Sequence, residues 1–252
     1  TGGEPLLRPD IYEIIRYAAD RKFMVVLGTN GTMINRINAE KIKSAGAHGV
    51  GISIDSMNPD KHNKFRGVDK AWELSMDAFD ILNEVGVDFL VQMSVSDMNY
   101  KEIPEVVEFT EKIGAIAFNL YFLVCTGRGQ GNTDISNAAY EEALKMLYEQ
   151  QMKYKGKLMI NSKCAPQYKR VVYENDPDSV YTRTYSGGCP AATHYSRISP
   201  EGNLTPCPFI EESVGNLKSR SFKDLWENAP LMIQLRDRKQ LDGKCGTCEF
   251  SA

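Results

Sequence analysis

The sequence predicts an α/β chain built on a parallel sheet and followed by a small cysteine-rich module. Three observations predict it. Five short apolar runs recur with centres near Val26, Ile52, Val91, Leu120 and Met159, spaced 26 to 39 residues apart. Each gap holds a segment with helical periodicity, and repeated βα units require a parallel sheet. Four of the six cysteines fall between Cys189 and Cys248, in a stretch rich in Gly and Pro. The sheet is either an open doubly wound one or part of a (β/α) barrel. In both, ligands meet the carboxyl edge of the strands.

The elements follow in order. Ile11, Ile14, Ile15 and Ala18 repeat at i, i+3, i+4 and i+7 behind the start signals Pro9 and Asp10, which predicts an amphipathic helix. Phe23 to Leu27 is an apolar run closed by the turn Thr29-Asn30-Gly31, which predicts a buried strand. Ala39 to Ala45 suits a short helix ended by Gly46, and His48 to Ile54 the next strand. Trp72, Met76, Phe79 and Leu82 mark a helix closed by Gly86, and Val87 to Val95 a strand. Ile103, Val106, Val107, Thr110 and Ile113 mark a helix closed by Gly114, before a strand over Ala115 to Val124. Tyr140, Leu144 and Leu147 lie on a further helix, and Leu158 to Asn161 is the last strand of the series. Asn175-Asp176-Pro177-Asp178 reads as a linker, so the first domain is expected over 1–176 and the second over 177–252. In the second, Tyr195–Ser199 and Asn203–Thr205 predict short strands and Ser221–Asn228 a capped helix.

Composition removes several function classes. The chain of 252 residues carries 30 Lys+Arg against 33 Asp+Glu, a net charge of −3, with 42% hydrophobic residues. That apolar content excludes a disordered chain. No net positive field exists to release counterions from a phosphate backbone, so nucleic acid is not an expected partner. The longest nearly apolar run, Ala115 to Cys125, spans 11 residues, about half of what a membrane-spanning helix needs. The opening Thr-Gly-Gly-Glu-Pro has neither a basic nor an apolar leader region and no initiator Met. Both ends are therefore expected to be cuts through a longer protein. Six cysteines are too few for a disulfide framework of this length, so a reducing, cytoplasmic setting is expected.

Polar groups gather where strands are predicted to end. Gly2 and Gly3 let a ligand approach the backbone, and Glu4 and Pro5 add a carboxylate and a fixed turn. A cationic amino group is the natural partner of Glu4. Thr29 and Asn30 close the second segment of this kind, and Ser53 and Asp55 the next, one hydroxyl and one carboxylate two residues apart on one side of a strand. Gln92 and Ser94 repeat the arrangement, and Arg66, in a loop His62–Gly67, is able to pair with a carboxylate. Recurrence at successive strand ends points to one shared small-molecule site. In the tail, Cys189 and Cys207 follow the spacing C-x12-G-x4-C, and Cys245 and Cys248 form C-x-x-C. Four thiolates suit an iron–sulfur cluster or a zinc ion.

The ordered set Gly2-Gly3-Glu4-Pro5, Thr29-Asn30-Gly31, Ser53-Ile54-Asp55, C-x12-G-x4-C and C-x-x-C resembles the radical S-adenosylmethionine (radical SAM) superfamily with a SPASM or twitch auxiliary-cluster domain. The resemblance covers essentially the whole chain. It implies a partial (β/α)6 barrel, here lacking its first strand, and a small cysteine-rich domain. It implies that Gly2, Gly3 and Glu4 hold the methionine amino group of S-adenosylmethionine, and that Ser53 and Asp55 hold its ribose and carboxylate. Pro5, Thr29, Asn30, Arg66, Gln92, Ser94 and Leu123 complete the expected cofactor-binding set. Cys189, Cys207, Cys245 and Cys248 are the expected ligands of one or two auxiliary [4Fe–4S] clusters. Finer resemblance lies in Phe122–Gly129, Cys164–Tyr168, Val214–Asn216, Phe222–Trp226 and Gly243–Glu249, which look like the branch that modifies tetrapyrrole side chains. Gln167 stands where that branch often has histidine, and peptide-modifying SPASM enzymes share much of the tail.

The resemblance implies reductive cleavage of S-adenosylmethionine by a catalytic [4Fe–4S] cluster, and hydrogen abstraction from substrate by the resulting 5′-deoxyadenosyl radical. The substrate is expected to be a heme-type tetrapyrrole, with a ribosomal peptide as the alternative. An electron donor such as ferredoxin or flavodoxin is an expected partner. The family's C-x3-C-x2-C loop would lie upstream of Gly2, so this chain alone is expected to be silent. A non-catalytic zinc-stabilised binding module is the reading from another class.

Overall fold

A computed structural model describes residues 3–124, 135–179, 189–237 and 240–248. Contacts divide the chain into two compact units, Glu4–Ala165 on one side and Gly3 with the described residues from Pro166 onward on the other. No helix among the described residues is long and apolar enough to cross a membrane.

The first unit opens with a 3-10 turn at Pro5–Leu7 and proceeds through α1 (Ile11–Asp20), β1 (Val26–Thr29), α2 (Arg36–Ser44), β2 (Gly49–Ser53), α3 (Pro59–Arg66), α4 (Ala71–Val85), β3 (Phe89–Val95), a 3-10 turn at Tyr100–Glu102, α5 (Ile103–Lys112), β4 (Ala117–Phe122), α6 (Asn137–Lys153) and β5 (Met159–Lys163). The predicted strands are all present, with shifted ends. β1 begins at Val26 because Phe23 and Met24 are 63% and 80% exposed and pair with nothing in the sheet. α3 replaces the expected loop around Arg66. Its signals were local: Asn58 accepts the Lys61 N–H, Pro59 opens the first turn, and Gly67 closes the helix in the left-handed region at φ 66°.

The five strands pair in parallel in the order β1-β2-β3-β4-β5. Consecutive order has no reversal point, so the doubly wound alternative falls away. Crossovers of a single hand then put the helices on one face. The alternation of side chains matches. Leu27, Val50, Ile52, Val91, Met93, Phe118, Leu120 and Ile160 are buried beneath the helices. The other face carries Ser53, Gln92, Ser94, Tyr121, Asn161 and Lys163, all half-buried. This is an open five-stranded segment of a barrel wall with a polar concave side.

The second unit holds α7 (Tyr168–Asn175), an antiparallel sheet of β6 (Arg197–Ile198), β7 (Asn203–Thr205) and β8 (Gly215–Asn216), then α8 (Phe222–Asn228), α9 (Pro230–Arg236) and a last short turn of helix, α10 (Gly243–Gly246). Among the described residues, an apolar cluster in it joins Ala192, Leu204, Leu225, Ala229 and Met232. Gly215 sits so close to Leu225 that a Cβ there would lie 2.5 Å from its side chain. Arg236 stitches the module by donating to the carbonyls of Ala192 (2.8 Å) and Trp226 (2.6 Å).

Candidate functional site

The carboxyl edge of the sheet gathers the residues singled out in sequence. Gly3 turns at φ 77° with open space where a Cβ would be, so its backbone is approachable. Gly2 lies outside the described residues. Glu4 caps the Pro5–Leu7 turn by accepting the Leu6 N–H at 3.2 Å. Its carboxylate also accepts the Thr29 hydroxyl at 2.7 Å and the Asn30 N–H at 2.9 Å. Glu4 is thus fastened to the end of β1, and Thr29 and Asn30 are its clamp. Asn30 in turn accepts from Thr32, and Ser75 donates to the Asn30 carbonyl. A carboxylate held this firmly, beside a bare glycine backbone, is oriented before any cation arrives.

Gly28 and Gly51 form a floor on the concave face. A Cβ on Gly51 would fall 2.9 Å from Gln92 Nε2, so the Gln92 amide lies across that floor and reaches the Tyr121 hydroxyl at 3.4 Å. Asn161 donates to Asn119 on the neighbouring strand at 3.0 Å. Burial lowers the affinity of the Lys163 amine for its proton, with the nearby Cys164 acting the other way. Ser53 is half-buried at the end of β2, and Leu123 half-buried just beyond β4.

Asp55 is buried and engaged from within the chain. Its side chain is 1% exposed. Oδ1 accepts the Ser94 N–H at 2.9 Å, and Oδ2 lies 2.5 Å from Arg66 Nε. Burial raises the affinity of Asp55 for its proton, and the Arg66 charge and the Ser94 N–H oppose that rise. Arg66, in the last turn of α3, is 24% exposed.

Three residues of this region carried no functional signal in the sequence. His62 is fully buried and accepts the Asp55 N–H through Nδ1 at 3.1 Å. Asn99 donates to the Asp55 and Ser94 carbonyls at 2.7 and 2.9 Å, tying the turns after β2 and β3 together. Glu102 accepts from Ser56 Oγ at 2.5 Å, Met57 N at 3.1 Å and Lys61 Nζ at 2.7 Å. Burial raises its carboxyl pKa, but the bonds from Lys61 and Ser56 outweigh burial and leave it below the ordinary value. Glu102→Gln is expected to cost about 1–3 kcal/mol at pH 7. A depressed folded pKa gives stability that is present above about pH 4.5 and lost as the pH falls. Urea unfolding of both proteins at pH 7 and pH 4 checks this: the gap between them should narrow at pH 4.

In the tail, Cys189 lies near Cys207, close enough for its charge to be felt there. Neither is in a disulfide. Burial pushes the Cys207 thiol up, Cys189 adds to the rise, and the backbone N–H groups of Phe209 and Ile210 pull it down. A half-buried thiol with backbone donors beside it fits a thiolate bound to a metal or cluster. Cys248 is exposed. The Cys245 side chain and Cys125 lie outside the described residues. Among the described residues, no three candidate ligands converge; the pair that meets is Cys189 with Cys207.

Comparison with known proteins gives the family. Residues 1–110 match the radical SAM superfamily model, and residues 189–249 match that of the SPASM iron–sulfur cluster-binding domain. The AdoMet-dependent heme synthase of Methanosarcina barkeri is 36% identical over 99% of this chain and 73% of its own length. The pre-heme d1 synthase of Dinoroseobacter shibae is 27% identical over 100% of this chain and 67% of its own. In structure, SuiB of Streptococcus suis bound to S-adenosylmethionine matches with a TM-score of 0.79 at 19% identity, over 99% of this chain and 59% of SuiB, which supports the fold. Family models matching both units, together with a relative above 30% identity along nearly the whole chain, place this protein in the radical SAM superfamily, among its members with a SPASM iron–sulfur domain.

Proposed function

We propose that this chain is the body of an enzyme that modifies a carboxylate-bearing side chain of a heme-type tetrapyrrole. The observation that carries the reading is that the likeness to the AdoMet-dependent heme synthase runs through both units, tail included. S-adenosylmethionine, with a reduced catalytic iron–sulfur cluster, supplies a hydrogen-abstracting carbon radical when bound.

The chain's own residues supply the seat. Glu4, pre-oriented by Thr29 and Asn30, takes the methionine ammonium with the backbone at Gly2 and Gly3. Pro5 fixes the turn that aims it. Arg66 takes the methionine carboxylate. Ser53, Gln92 and Ser94 line the wall where the ribose lies, and Leu123 packs against the adenine. The helices behind the sheet exclude water from its buried face and hold this geometry. In the tail, Cys189 and Cys207 share an auxiliary cluster, and Cys245 and Cys248 serve the same cluster or a second one. A ferredoxin or flavodoxin supplies electrons, and the protein works in the reducing cytoplasm.

Two measurements test this. Glu4→Ala in the full-length protein is expected to weaken S-adenosylmethionine binding about tenfold or more, the loss of one charge-assisted hydrogen bond. Unchanged affinity in calorimetry of the folded variant removes Glu4 from the seat. For the substrate, the anaerobic, reduced enzyme is given S-adenosylmethionine with either carboxylate-bearing iron tetrapyrroles or ribosomal precursor peptides. A mass change confined to a tetrapyrrole is expected. A mass change confined to a peptide overturns the reading.

A further inference from the structure

We infer that Asp55 is a positioning residue that holds Arg66 from behind, and not a ligand of the cofactor. The inference rests on the assignment of Arg66 to the carboxylate of S-adenosylmethionine.

The polar atoms of Asp55 are engaged from within the chain. Oδ1 accepts the Ser94 N–H at 2.9 Å, the backbone N–H donates to His62 Nδ1 at 3.1 Å, and the carbonyl accepts from Asn99 at 2.7 Å. Oδ2 faces Arg66 Nε at 2.5 Å, without the alignment of a hydrogen bond. Charge therefore does most of the holding, and at 1% exposure there is little water to screen it. No surface of the carboxylate is left for a ribose or a carboxylate ligand. Arg66 differs. It is 24% exposed, and among the described residues its two Nη groups have no hydrogen-bond or ion-pair partner. A guanidinium fixed at Nε with its fork unspent presents the donors that a carboxylate takes bidentately.

The helix geometry adds an independent observation. His62 and Arg66 stand at i and i+4 on α3, one turn apart on the same face. His62 reaches the Asp55 main chain and Arg66 reaches the Asp55 side chain. His62 thus docks the helix, and docking delivers the arginine to the carboxylate. The docking bond needs an imidazole nitrogen that accepts, which a neutral ring supplies. His62 Nε2, left carrying the proton, is buried with no hydrogen-bond partner among the described residues. A buried, unsatisfied donor is costly, and its presence argues that this ring is kept for the bond made by its other nitrogen.

Neutralising Asp55 has two opposing effects on an anion at Arg66. It removes a competing negative charge, which strengthens binding. It also releases the guanidinium to rotate, which weakens binding. Positioning predicts that the second effect wins. The test uses the full-length protein in calorimetry with two ligands, S-adenosylmethionine and 5′-methylthioadenosine, which keeps the nucleoside and lacks the carboxylate. Asp55→Asn, which keeps an acceptor for Ser94, is expected to weaken S-adenosylmethionine at least tenfold and change 5′-methylthioadenosine less than twofold. On an Arg66→Met background, Asp55→Asn should add nothing. Equal loss for both ligands would mean a structural role only. Unchanged or tighter S-adenosylmethionine binding would mean that Asp55 does not position. Either result overturns the inference. If Arg66→Met itself leaves S-adenosylmethionine binding intact, the assignment of Arg66 falls instead. Should Asp55→Asn fail to fold, Asp55→Glu, which keeps the charge and displaces it, is expected to give the same ligand-specific loss and is judged by the same outcomes.

Discussion

Cys207→Ala, made in the full-length protein and reconstituted with iron and sulfide without oxygen, is expected to lose about four iron atoms per chain, one whole [4Fe–4S] cluster. Cys207 is chosen because its surroundings are the most specific among the described tail thiols. It neighbours Cys189, and the backbone N–H groups of Phe209 and Ile210 favour its charged form. Among the described residues the apolar centre of the tail is Ala192, Leu204, Leu225, Ala229 and Met232, with Val214, Leu217 and Trp226 packed against them, and a core of that size leaves a module dependent on a metal or a cross-link. The tail should therefore become open to proteolysis in the same variant, with cleavage first among the residues around Asn203–Asn216. Cys164→Ala, a thiol at the end of β5, serves as the comparison and should leave the iron content unchanged. Tightly bound zinc with no iron–sulfur absorbance in the parent protein would overturn the assignment and favour a zinc-stabilised module.

The sheet was legible in sequence because buried parallel strands are short apolar runs, and Gly86 and Gly114 mark the helix ends before two of them. Where a run overreached, as at Phe23 and Met24, the side chains are apolar yet exposed, and hydrophobicity alone does not say which side of the boundary they fall on. α3 was illegible for the opposite reason. Pro-Asp-Lys-His-Asn-Lys-Phe-Arg has no apolar period, so only its caps, Asn58 and Gly67, betray it. The site divides in the same way. Glu4, Thr29 and Asn30 stand at strand ends and were visible as polar punctuation. His62, Asn99 and Glu102 act through contacts that span 7, 44 and 46 residues of sequence, and no local pattern announces them. Asp55 was visible as a residue, and its pairing with Arg66 was not. A strand-end carboxylate looks the same in sequence whether it faces a ligand or the back of an arginine.

Acid is expected to destabilise the fold through that buried cluster, and His62 sets the window. Burial lowers the His62 pKa to about 4, Arg66 pushes the same way, and Glu73 opposes them. In the unfolded chain the imidazole titrates near its ordinary 6.5. Above that pH the ring is neutral in both states and contributes no slope. As the pH falls from 6.5 toward 4, the unfolded chain takes up a proton that the folded one refuses, so stability drops. A displacement of this size corresponds to a loss on the order of 3 kcal/mol over the window. Asp55 acts with the opposite sign, because its folded pKa is raised and protonation favours the folded state. Glu102 adds to the loss only below about pH 4.5. The difference in slope between the parent and a variant lacking the imidazole, taken from pH 6.5 to 5, therefore isolates the histidine. His62→Phe should be about 1–3 kcal/mol less stable at pH 7, since the Asp55 N–H loses its acceptor, and from pH 6.5 to 5 the parent should lose stability relative to it. Equal slopes in urea unfolding of the two proteins would show that His62 is not the group that titrates. The folded ring itself charges only as the pH approaches about 4, and charging removes the acceptor that docks α3. S-adenosylmethionine affinity of the folded protein should therefore hold from pH 6.5 to 5 and fall more steeply near pH 4 than that of 5′-methylthioadenosine, whose binding does not use the arginine.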